Sequence, residues 1–398
     1  MRIRWGRAPW LVAACGVVLA GCASFDDRAS GQTFEPAPDL TAPAAPQPEL
    51  PELDGNSGGD GTTRPSAPQT SVPPPQGCTD FDKAVIATCL DTVAAVAALP
   101  GSDAAPAALA GERKSGRVLQ VTGGAAATEL IKLSVDASGD GGLTGLALSP
   151  SYAEDQLVFA YITTPTDNRV VRFTKGQQAK PILTGIPKGP TDNRGAITAF
   201  GNGTLLVATG DAGNPAAAAD PNSLAGKVLR IDTAGNAATG NPTAGSRVFA
   251  SGLHSPGGLC KSADAGRVWV TDEGATADAL YRVNAGTSLA APAWSWPDRP
   301  GLAGCADTGE SLMIATSVAG NMQQVPITLD GSVGGQPKAM MDGKNGTGYG
   351  RYGGMDPVNT QYAVVGTVNK DGGTPVSSDD RVVIIQLQPN SGGGNGKD

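Results

Sequence analysis

Three stretches of this chain repeat one pattern: a strand of small residues, a tight turn, then an apolar strand that ends near an acid or a tyrosine. Ala196 to Asp211 and Gly258 to Asp272 carry it closely, and Gly145 to Tyr161 is a looser third copy. Starts near 145, 196 and 258 imply a period of roughly 50–60 residues, a length that suits the four-stranded blade of a β-propeller. A β-sandwich of this length would need two domains and would leave the repeat unexplained. The expected fold is all-β, a propeller of about six blades spanning 78–390.

The residues between the copies agree. Leu146-Ala147-Leu148, Leu157 to Ile162, Arg169 to Phe173, Thr204 to Thr209 and Arg267 to Thr271 are short, and most are rich in β-branched and aromatic side chains. Gly, Pro, Asn or Asp bound them, as strands require. Only 17% of residues are charged while 56 of 398 are Gly. That balance favours many tight turns over long surface helices with i, i+4 charge pairs. The one stretch with helical flavour is Phe81 to Ala98, rich in Ala and Val.

The first residues bear on where such a domain works. Arg2, Arg4 and Arg7 precede an apolar run from Ala8 to Ala20. At about 13 residues the run is too short for the roughly 20 that span a bilayer. Leu19-Ala20-Gly21-Cys22 resembles a bacterial lipobox. That resemblance implies a signal peptide over 1–21, cleavage before Cys22, and diacylation of the Cys22 thiol. An ordinary secretory signal cleaved at a small-x-small site is the alternative. Residues 22–77 are rich in Pro, as in Val72-Pro73-Pro74-Pro75, and offer little apolar surface to bury. They read as a disordered tether, and the Gly-rich 391–398 as a disordered tail. The expected location is the extracytoplasmic face of a cell membrane, held by the lipid anchor.

Loss of the leader takes the formal charge of −8 down by three arginines to −11, which argues against nucleic acid as a partner. A monomer is expected. After Cys15 and Cys22 are set aside, Cys78, Cys89, Cys260 and Cys305 remain, an even number in an oxidising compartment. Three pairings are open; Cys78–Cys89 as a local clip and Cys260–Cys305 as a tie between neighbouring β units are favoured. A single His in the chain argues against zinc.

Several motifs carry a family resemblance over roughly residues 140–300. Gly141-Gly142-Leu143-Thr144-Gly145-Leu146-Ala147-Leu148-Ser149-Pro150 resembles the G-L-L-G-(I/L)-A-x-x-P segment of the soluble glucose/sorbosone dehydrogenases. Asn168 to Phe173 is similar to that family's N-R-V-x-R-F strand, and Thr209-Gly210-Asp211 to its x-G-D strand end. Leu224 to Ile231 resembles its L-x-G-K-(I/V)-L-R-I motif, the most specific match. Ser251 to Leu259 is similar to G-x-R-N-P-x-G-L, and Trp294-Ser295-Trp296-Pro297 to N-Y-G-W-P. The resemblance implies a six-bladed propeller that binds pyrroloquinoline quinone (PQQ) and calcium and oxidises sugars.

The chain departs from that pattern where the chemistry lies. The family's base is a His in an H-x-G-G turn; here the stretch is Thr191-Asp192-Asn193-Arg194-Gly195, with Asp192 at about the His position. An Asp serves as a base near neutral pH only if burial or a nearby anion raises its pKa; otherwise it caps a Gly turn. The Arg-Asn pair that would meet the anionic quinone is His254-Ser255. PQQ carries three carboxylates, and a site for it needs convergent Arg or Lys. The family's E-H-G and D-E-L-N segments appear as Asp272-Glu273-Gly274 and Asp278-Ala279-Leu280-Tyr281. The candidate cofactor-binding residues are thus His254, Ser255 and Asp140, and the candidate calcium ligands Asp272, Glu273 and Asp278.

No P-loop, G-x-G-x-x-G after a strand or G-x-S-x-G elbow is present. Two functions stand against each other. One is a binding or scaffold protein that has lost the family's redox centre and meets an envelope glycan or a protein partner. The other is a PQQ- and calcium-dependent aldose dehydrogenase with an altered base. Loss at both the base and the quinone anchor favours the first.

Overall fold

The computed structural model describes residues 72–101, 106–201, 203–344 and 347–387. The lipobox with Cys22, nearly all of the tether and the Gly-rich tail lie outside them. Six sheets form a ring, five antiparallel ones of four strands and one of five whose outermost strand, Thr287–Ser288, pairs in parallel with Val248–Ser251. Their innermost strands are Val93–Ala98, Leu143–Leu148, Gly195–Phe200, Pro256–Lys261, Leu302–Asp307 and Tyr352–Pro357. Each of these packs on the next, the sixth against the first, which makes a closed six-bladed propeller.

The small-residue half of the sequence repeat is explained by that ring. Inner strands crowd at the axis, so their residues stay small: Ala-Ala in the first, Gly-Gly in the fourth and sixth, Ala-Gly in the fifth. A Cβ on Gly304 would lie 2.2 Å from the Met355 backbone nitrogen, and one on Gly354 2.8 Å from the Ala95 Cα. The second strands lie between sheets and carry the large apolar side chains. Phe159, Tyr161, Leu205 and Val207 fill the second–third seam, and Trp269, Leu312 and Ile314 the fourth–fifth.

Phe81 to Ala98 is not helical. It forms the strands Val85–Ala87 and Val93–Ala98, separated by Cys89 and Thr92, both at positive φ. The Ala richness that suggested a helix instead serves close packing at the axis, a tertiary demand that overrides local propensity. Val85–Ala87 adds to the last sheet as its outermost strand, pairing with Val382–Gln386. The ring therefore closes by joining both ends of the domain in one blade. Asp380 reinforces the joint: its backbone exchanges two hydrogen bonds with Leu90, and its Oδ2 accepts the Thr92 N–H at 3.0 Å.

Both favoured disulfides are present. Cys78–Cys89 clips the segment that carries the closing strand. Cys260–Cys305 joins the inner strands of the fourth and fifth blades. The L-x-G-K-V-L-R-I motif is a packing device. Lys227 is fully buried and its Nζ donates to the carbonyls of Ala217, Ala218 and Ala225, each at 2.8 Å. Burial lowers its pKa to about 8.

Candidate functional site

At one end of the axis a cavity of about 280 Å³ opens where all six blades meet. That is just below the usual range of small-molecule sites, about 300–1,000 Å³. Its charged wall consists of Arg113, Arg194 and Arg351 against Asp140, Glu273 and Asp371. Each comes from the start of an inner strand or from the loop that follows a second strand, so the propeller geometry itself delivers them.

Two of the arginines are committed within the protein. Arg194 pairs through Nη1 with Glu273 of the next blade, and its Nη2 reaches the Leu302 carbonyl of the blade after at 3.3 Å. Its side chain thus bridges three blades at the cavity wall. Arg113 donates to Asp371 at 2.6 Å and to the Gly141 carbonyl at 2.7 Å. Arg351 donates to the Asp371 carbonyl at 2.8 Å and has no carboxylate within salt-bridge distance among the described residues.

Asp140, a candidate cofactor residue in the sequence, lines the cavity, and its oxygens are engaged locally. They accept the backbone N–H of Asn193 at 3.1 Å and lie 3.4 Å from the Arg194 N–H and the Ser255 hydroxyl. Asp140 therefore pins the turn in which Asp192 adopts a φ of +58°. Asp192, His254 and Ser255 sit beside the cavity and are not part of its wall.

They are organised around the imidazole. His254 Nδ1 hydrogen-bonds Asp211 Oδ2 at 2.7 Å, and Nε2 lies 3.6 Å from Asp192 Oδ1. The backbone N–H groups of His254 and Ser255 donate to Asp272. Burial draws the His254 pKa down, but the Asp211 hydrogen bond and the charges of Asp211, Asp192 and Asp272 outweigh it and raise the value above the usual one. Asp211, quoted in sequence only as a strand end, is thus the residue that sets the state of the imidazole.

The expected calcium ligands do not converge. Asp272 is buried, which pushes its carboxyl up to about 7, and it holds the His254 loop. Glu273 takes Arg194. Asp278 accepts the N–H groups of Gly301 at 2.7 Å and Leu302 at 3.3 Å, and burial raises its pKa. Among the described residues, the one trio with ligating atoms all within 4.8 Å is Asp192, Asp211 and His254. The lining does not fit PQQ either. Three arginines face three carboxylates, and two of the three guanidiniums are already ion-paired, so little cationic charge is left for a trianion.

Comparison with known proteins places these departures. Residues 92–304 match the sequence model described as glucose/sorbosone dehydrogenase. A PQQ-bound aldose sugar dehydrogenase from Streptomyces coelicolor is 29% identical, with a TM-score of 0.69 over 76% of this chain and 96% of that one. A putative oxidoreductase (glucose dehydrogenase) from Thermus thermophilus is 26% identical, with a TM-score of 0.67 over 76% and 99%. The soluble aldose sugar dehydrogenase of Escherichia coli, at 18% identity and a TM-score of 0.63 over 77% and 98%, shares the fold. No curated protein matches the chain at a significant level.

Proposed function

The chain belongs to the glucose/sorbosone dehydrogenase family, and from that premise we propose that it is a recognition member of the family rather than a quinone enzyme. It holds a propeller on the extracytoplasmic face of a cell membrane through lipid on Cys22, and uses the axial cavity to bind a carbohydrate of the envelope. A protein partner on the same face would serve the same scaffold role. The single observation that carries this reading is the bridge from Arg194 to Glu273 and the Leu302 carbonyl. Where the family's H-x-G-G turn has a Gly, this chain projects a guanidinium into the wall of its own cavity.

One observation favours the alternative, a PQQ- and calcium-dependent aldose dehydrogenase. The His254–Asp211 pair keeps an imidazole backed by a carboxylate beside the cavity, and general-base help of that kind is worth about 10²–10⁴ in rate. The two readings separate in a dye-coupled assay of the full chain with PQQ, calcium and aldoses. The recognition reading expects no turnover above background. Robust quinone-dependent oxidation would overturn it and assign the base to His254 or Asp192.

A further inference from the structure

We propose that the carbohydrate taken by this cavity is acidic, a sugar bearing one carboxylate that is held by Arg351; this rests on the recognition reading above. The argument is one of unspent charge. Arg113 and Arg194 each have a carboxylate partner in the wall, while Arg351 has none among the described residues. Within those residues its guanidinium makes one hydrogen bond, to the Asp371 carbonyl. A guanidinium has five N–H donors in a planar fork that matches a carboxylate in two parallel bonds.

The group is also held in place. The Arg351 backbone N–H donates to Asn369 Oδ1 at 2.7 Å. Its side chain runs over the turn at Gly372-Gly373, where a Cβ on Gly373 would lie 3.0 Å from Arg351 Cδ and one on Gly372 3.2 Å from Nη1. Two glycines therefore leave room for the stem and fix its course before any ligand arrives. Arg113 and Arg194 are compensated by carboxylates and Asp140 is engaged by the Asn193 backbone N–H, so Arg351 is the cationic site the wall offers, which selects a monoanion over a polyanion. Beyond its six charged residues the wall is uncharged, and Gly195, Gly257, Ala303 and Gly353 leave space for a ring.

The test uses the full chain in detergent micelles and three probes of one shape: glucuronate, its neutral amide glucuronamide, and glucose. Calorimetric titration should show glucuronate bound roughly 10- to 100-fold tighter than the other two, the range of a charge-assisted hydrogen bond. Arg351→Gln should abolish that preference, and Arg351→Lys, which keeps the charge without the fork, should retain part of it. Equal affinity for glucuronate and glucuronamide would overturn the acidic assignment and leave the carbohydrate reading intact. A preference that survives in Arg351→Gln would place the anion elsewhere and refute the proposal. Failure of all three sugars to bind would defeat the acidic assignment and the carbohydrate reading together.

Discussion

Removal of Arg194 is the perturbation that reads most directly on how the cavity wall is built. The Arg194 and Glu273 side chains retain only 18% and 22% of their exposure, and among the described residues Glu273 has no other cation within salt-bridge distance. Arg194→Ala would leave a mostly buried carboxylate unpaired and free the Leu302 carbonyl. Breaking a fully buried pair costs about 3–5 kcal/mol; with a fifth of each side chain still wetted, about 2–3 kcal/mol is expected. Glu273→Gln alone should cost less, because the amide oxygen still accepts from the guanidinium. In a double-mutant cycle by urea denaturation the coupling energy should exceed about 1 kcal/mol, above the usual range of exposed pairs. A coupling below about 0.5 kcal/mol, or unchanged stability in Arg194→Ala, would show that the bridge is a solvated surface pair and would refute the reasoning.

Other expectations follow from the same geometry. The Cys260–Cys305 bridge closes 45 residues, and the loop-entropy model gives it about 4 kcal/mol; the double Ala variant should lose about that much in denaturant titrations, and a free thiol at either position in an unreduced peptide map would contradict the pairing. His254 is the chain's single histidine, so its imidazole can be followed alone by NMR, and Asp211→Asn should lower its pKa. Because the folded value is raised, the stabilisation is complete below the unfolded value of about 6.5 and is lost as pH rises through the folded one. The stability gap between the native chain and His254→Gln should therefore shrink from pH 5.5 to pH 8.5, and a gap that widens would reverse the assignment. Cys22→Ala should release the protein from the membrane fraction; unchanged association with no acyl label would exclude the anchor.

How much of this is legible in the sequence depends on range. The blade repeat is readable because each copy is a local hairpin, and its small inner residues follow from crowding at the axis. Phe81 to Ala98 misleads because Ala and Val report propensity, whereas its strands are fixed by closure of the ring through Val383 and Asp380. The site region is visible at Asp140, Asp192 and His254, yet the carboxylate that holds the imidazole, Asp211, lies 43 residues from it in sequence. Arg113 and Arg351 give no local signal, since they meet only where the first and last blades adjoin. Asp272 and Glu273 look like joint calcium ligands because they stand where the resembled family has its E-H-G segment. At a strand end successive side chains turn to opposite sides, so one is buried under the His254 loop and the other faces the axis.

The central claim is that two of the three arginines in the cavity wall are spent on its own carboxylates, which leaves no place for a polyanionic quinone. Equilibrium dialysis of PQQ against the full chain, with calcium in excess, tests it without relying on turnover. The wall described here predicts no stoichiometric binding, with a Kd weaker than about 1 mM, a binding free energy of at most about 4 kcal/mol. One PQQ bound per chain at micromolar concentration would contradict it.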